Sequence, residues 1–70
     1  MIEEYRCVIK MEIAKYFIGV DYNGNKYSIV KNEHIKAKKG SDIYFYAKRK
    51  KGLFVDTLIP VSKEEGGYIY

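Results

Sequence analysis

Ile18-Gly19-Val20-Asp21-Tyr22-Asn23-Gly24-Asn25-Lys26-Tyr27-Ser28-Ile29 sets an Asn-Gly dipeptide between two runs of strand-forming residues. Asn-Gly suits a type I′ turn, because both central residues of that turn need φ above zero. With apolar alternation on either side it is a strong short-range hairpin signal. A two-residue loop at Asn23-Gly24 predicts the cross-strand pairs Tyr22–Asn25, Asp21–Lys26, Val20–Tyr27 and Ile18–Ile29. Apolar pairs then share one face and an opposite-charge pair the other, so turn chemistry and side-chain pattern agree.

Moving outward from the hairpin, the period stays at two. Tyr5, Cys7, Ile9, Met11 and Ile13 share one parity while Arg6, Val8, Lys10 and Glu12 hold the other, as in a strand with one buried face. Residues 32–40 break that pattern. Asn32 is placed to cap a short helical turn through Glu33, His34 and Ile35, and Gly40 ends the connection. A fourth strand follows, with Ile43, Phe45 and Ala47 inward and Tyr44, Tyr46 and Lys48 outward. Arg49-Lys50-Lys51-Gly52 is predicted as the next turn, its glycine supplying a left-handed position or a bulge. The fifth strand is expected from about Leu53 to Ile59, ending at Pro60, which has no N–H for a ladder. Ser62-Lys63-Glu64-Glu65 reads as one helical turn before Gly66-Gly67, and Tyr68-Ile69-Tyr70 as strand.

The expected fold class is therefore all-β: a small five-stranded barrel with a short helical turn at most, closure removing the free edges that invite aggregation. The 70 residues read as one domain, with the barrel at about 5–60 and a tail at 61–70. A chain of this size buries only about 60% of its unfolded surface, so the core is thin. Ile9, Met11, Ile18, Val20, Ile29, Ile43, Phe45 and Val55 are its predicted members. One cysteine, Cys7, excludes an internal disulfide, and one histidine, His34, makes a zinc site a poor fit. No cofactor is expected. No stretch approaches the roughly 20 apolar residues of a membrane span, and the acidic start Met1-Ile2-Glu3-Glu4 is unlike a signal peptide. A cytoplasmic location without membrane contact is the expectation.

Charge is the most informative feature for function. Between Lys31 and Lys51 stand Lys31, Lys36, Lys38, Lys39, Lys48, Arg49, Lys50 and Lys51, against only Glu33 and Asp42. The net +4 of the chain is concentrated there. Such stretches attract polyphosphate backbones by releasing condensed counterions, and they also serve simply as solvated, solubilising loops. Tyr44 and Tyr46 share the outer parity of strand four with Lys48, and exposed rings beside cations stack on single-stranded bases. Equally, tyrosines there can cover a minor cluster beneath the tail, or anchor a protein interface. His34 has no assignable nucleophile or carboxylate partner, and Cys7 lies on an apolar parity, so both read as structural. No catalytic set is present, and the chain is read as a non-enzyme.

The layout resembles the oligonucleotide/oligosaccharide-binding (OB) barrels, in particular cold-shock domains and the smallest bacterial translation initiation factor. The likeness rests on the strand pair closed by Tyr22-Asn23-Gly24-Asn25, the irregular link at Asn32-Glu33-His34-Ile35, and Lys39-Gly40-Ser41-Asp42-Ile43-Tyr44-Phe45. Lys15-Tyr16-Phe17-Ile18-Gly19-Val20 is faintly similar to the aromatic RNA-binding motif of cold-shock domains, but lacks its first glycine and has no second motif after it. KOW-type barrels share the same vocabulary of turns and strands. The resemblance implies base stacking at Tyr16 and Phe17. Together with the charge pattern, it makes single-stranded DNA or RNA the expected partner of a monomer or weak homodimer. The expected contact residues are Tyr16, Phe17, Lys36, Lys38, Lys39, Tyr44, Tyr46, Lys48, Arg49, Lys50 and Lys51. The alternative is a protein-interaction module, such as a small regulator or inhibitor encoded by a phage or other mobile element.

Overall fold

A computed structural model describes residues 2–62 of the chain. Five strands occupy most of them: β1 (Ile2–Glu12), β2 (Tyr16–Val20), β3 (Lys26–Val30), β4 (Asp42–Lys50) and β5 (Asp56–Val61). They close into a barrel in the order β1-β2-β3-β5-β4, β4 pairing back onto β1. The β3–β5 pair is parallel and the others antiparallel. A parallel pair needs a long crossover, and here the crossover is the 31–41 link together with β4 itself. No helix occurs among the described residues, and the helical turn and strand expected in the tail lie, from Lys63 on, outside them.

The Asn-Gly hairpin forms where the sequence places it, but with a different turn. Gly24 N–H donates to the Asp21 carbonyl at 3.2 Å and Asp21 N–H to the Asn25 carbonyl at 3.0 Å, leaving Tyr22-Asn23-Gly24 as a three-residue loop. Gly24 is left-handed (φ 86°), whereas no non-glycine residue described has positive φ, so the turn is not type I′. The Asp21 carboxylate replaces that geometry with hydrogen bonds from Asn23 N–H and Asn25 N–H, both at 2.9 Å. The extra loop residue moves the register by one, to Gly19↔Tyr27 and Phe17↔Ile29. A one-residue slip reverses the face a strand presents. Phe17 and Gly19 therefore point inward on β2, while Ile18 and Val20, expected in the core, are half-buried on the outside.

A second shift sits in β1. Ile9 pairs with Gly19 but Met11 with Ile18, so Lys10 is an extra residue in the ladder, a β-bulge. Past it the alternation inverts, and Met11, expected inside, is 54% exposed. The interior is filled by Cys7, Ile9, Phe17, Tyr27, Ile29, Phe45, Ala47 and Leu58, with Tyr5 and Ile43 packed against them. Val55, also expected in the core, is only half-buried in the β4–β5 loop.

The 31–41 link makes β-turns in place of the expected helical turn. Asn32 still acts as a local cap, its Oδ1 accepting His34 N–H at 2.9 Å while its Nδ2 ties the link to the Pro60 carbonyl. Ile35 is buried and joins the core from this link. A second turn, closed by Ser41 N–H on the Lys38 carbonyl, puts Gly40 at φ 94° and docks on both backbone groups of Ile9. At the other end, Arg49 and Lys50 belong to β4 rather than to a turn. The loop is residues 51–55, and β5 starts at Asp56 instead of near Leu53. Pro60 lies within β5, opposite Ala47 and beyond the last β3 pair at Leu58, where one side of the strand has no ladder left to interrupt.

Candidate nucleic-acid interface

The inward set Ile43, Phe45 and Ala47 turns Tyr44, Tyr46, Lys48 and Lys50 onto the outer face of β4, with Asp42 at the start of the row. Pairing with β1 brings Arg6 opposite Tyr44 and Glu4 opposite Tyr46. Tyr44 is 64% exposed and Tyr46 half-buried. Beside them lies a shallow depression of about 250 Å³, shared with Glu4, His34 and Val61.

Arg6 is the centre of this surface. Its guanidinium lies 4.5 Å from the Tyr22 ring centre and 5.1 Å from that of Tyr44, a cation–π bracket with one ring from the hairpin and one from β4. Nε and Nη2 reach the two Asp42 oxygens at 3.1 and 3.0 Å, and the Tyr22 hydroxyl donates to the same carboxylate. This bidentate pairing orients the guanidinium plane and occupies its edge. Arg6 thus extends the flat surface behind Tyr44 rather than offering a free charge to phosphate. The hydrogen bond from Arg6, then that from Tyr22, holds the Asp42 carboxyl below its usual range.

The basic residues separate into two groups. Lys36, Lys38 and Lys39 lie in the link that leads into β4, and Lys48, Lys50 and Lys51 lie at its far end. The nine residues of β4 span about 26 Å at roughly 3.3 Å per residue, so the run that looks continuous in sequence is split between the two ends of the barrel. The three close ion pairs among the described residues engage Arg6, Lys31 and Arg49 and none of these six lysines. Arg49 has inward parity: its Nε donates to Asp56 at 2.6 Å, and its guanidinium lies over the Tyr27 ring at 5.4 Å. Its side chain stays 48% exposed while its charge is paired with Asp56, so it differs from the neighbouring lysines in having a close partner.

The aromatic motif on β2 does not join this surface. Phe17 is buried in the core beneath Lys31, whose ammonium sits 5.1 Å from its ring centre, so its ring has no face to offer a base. This follows from the register shift that turned β2 over. Tyr16 is exposed but starts β2, which is separated from β4 by β1. Arg6 and Tyr22 were missed because their meeting depends on the β1–β4 and hairpin geometry; the outward parity of Arg6 was the one available hint. Comparison with known protein families, with curated proteins and with solved structures gave no match to this chain.

Proposed function

We propose that this chain is a non-catalytic binding module that takes single-stranded DNA or RNA along the outer face of β4. The observation that carries this reading is the row of Tyr44, Tyr46, Lys48 and Lys50 on one strand face, with Tyr44 exposed and backed by Arg6. Bases stack on the tyrosines while lysines at both ends, none in a close ion pair among the described residues, neutralise the backbone. The span of β4 suits the low end of the roughly 4–16 nucleotides that an OB-type barrel covers. The strand order, a Greek-key barrel with one parallel pair, supports the OB-like reading.

Two variants separate stacking from charge in gel-shift titrations at two salt concentrations. Replacing Lys48, Lys50 and Lys51 with Gln should weaken binding to every sequence and flatten the salt slope, because fewer counterions are released. Tyr44→Ala should cost about 1–3 kcal/mol and leave the slope nearly unchanged. Both variants must keep the wild-type melting temperature. Absence of any shift for the wild type at low salt and micromolar protein rejects the proposal. The protein-interaction reading draws on the same exposed Tyr22, Arg6 and Tyr44, residue types that anchor interfaces. A partner whose binding is lost on Tyr44→Ala but is indifferent to salt and to the lysine changes would favour it.

A further inference from the structure

The β4–β5 loop carries the two most exposed large hydrophobic side chains described: Leu53 is 92% and Phe54 93% exposed. A chain this small has little apolar material to spare from its core, so an adjacent Leu-Phe pair held in water asks for a partner that covers it. The loop that presents them is tied at its base. Asp56 accepts Gly52 N–H at 3.1 Å on one oxygen and Arg49 Nε at 2.6 Å on the other. Gly52 lies so close to the Val55 carbonyl that a Cβ there has no place. Lys50 and Lys51 immediately precede the tip and Lys48 shares the adjoining strand end, none of them in a close ion pair among the described residues. The acid at the loop's base, Asp56 at the start of β5, is paired with Arg49.

We propose that this tip docks on an anionic lipid bilayer, with Leu53 and Phe54 entering the headgroup boundary and Lys48, Lys50 and Lys51 lying against acidic headgroups. Two arguments select that occupant. Basic residues gathered beside inserted apolar ones complement the negative surface potential of such a membrane. In addition, two side chains on one loop fall far short of the ~800 Å² per partner of a stable protein interface, whereas a fluid apolar phase requires no complementary shape. The proposed contact is peripheral, made by the loop tip alone; no helix among the described residues is long and apolar enough to cross a membrane. The inference goes beyond the nucleic-acid reading. It shares three lysines with that reading, but Leu53 and Phe54 have no part in the β4 face.

The test is co-sedimentation of the full chain with phosphatidylcholine vesicles, with and without phosphatidylserine. The wild type should sediment with the anionic vesicles at low salt and stay in solution with the neutral ones. The L53S/F54S variant should lose about tenfold or more in partitioning, since each buried methylene contributes several-fold. It should also melt at the wild-type temperature and shift an oligonucleotide as the wild type does. The K50Q/K51Q variant should partition less and with a shallower salt dependence. Failure of the wild type to sediment with anionic vesicles overturns the proposal, as does undiminished partitioning of L53S/F54S. Loss of oligonucleotide binding in L53S/F54S with vesicle binding intact also overturns it, by assigning the tip to nucleic acid. Vesicle binding by a chain that binds no oligonucleotide would refute only the earlier reading.

Discussion

Gly19 and Gly24 lie five residues apart in the same hairpin, yet they are glycine for opposite reasons. A Cβ at Gly19 would stand 2.8 Å from Ile29 Cδ1 and 3.1 Å from Cys7 Cβ, so both fully buried neighbours would have to shift to admit it. Gly24 has no atom near its Cβ position but holds φ at 86°. Asparagine tolerates that left-handed conformation far better than most residues, while in a packed core it adds volume and an amide without partners. Gly24→Asn should therefore melt close to the wild type and Gly24→Val about 1–3 kcal/mol less stable. Gly19→Asn and Gly19→Ala should both be destabilised, the alanine by about 1–3 kcal/mol through overpacking. Equal behaviour of the two asparagine variants in thermal melts would show that one of the two reasons is misassigned. The same crowding explains Cys7, whose thiol burial pushes up to about 11, leaving little thiolate at neutral pH.

At the scale of the element, one carboxylate sets the hairpin register. Asp21 gathers Asn23 N–H, Asn25 N–H and the Asn25 side-chain amide, at 2.9, 2.9 and 3.0 Å. Asp21→Ala removes the acceptor for all three, and a loss of about 1–2 kcal/mol is expected by comparison with helix-capping carboxylates. Amide exchange should quicken first at residues 23–25 and along the β2–β3 pairs, while β1–β4 amides keep their protection. Uniform quickening through the barrel would mean that the turn does not control its own hairpin. The bulge at Lys10 works on β1 in the same way, since one extra residue decides that Met11 faces water. Neither device carries an unambiguous sequence signal. Asp and Asn beside Gly serve two-residue and three-residue loops alike, and a lysine within an alternating run looks like an ordinary outward residue.

For the whole molecule, the acid side of the stability profile follows from three carboxyls held below the usual range. Burial pushes Asp21 up, but the hydrogen bonds from Asn25, Asn23 and Tyr27 outweigh it. Asp42 is lowered by Arg6 and Tyr22, and Asp56 by Gly52 N–H and then Arg49. A group with a depressed folded pKa stabilises the fold above its unfolded value, and that contribution is lost as pH falls through the folded pKa. Thermal melts should thus be flat from neutral pH down to the unfolded aspartate value of about 4 and fall progressively below it, less steeply in an Asp21→Asn variant. A midpoint unchanged down to pH values well below that figure would contradict these assignments. The features legible in the chain alone were local: strands of period two, a turn at Gly24, Phe45 inward with Tyr44 outward, and a cysteine on an apolar parity. Each follows from backbone preferences and alternation over a few residues. The rest arises only once distant strands meet. Their meeting set the β2 face that buries Phe17 and the pairing of Arg6 with Asp42, 36 residues away. It also divided one basic run between two ends of the barrel and left Leu53 and Phe54 in water. Those outcomes depend on which strands meet and in what register, and that is settled by packing between residues far apart in the chain.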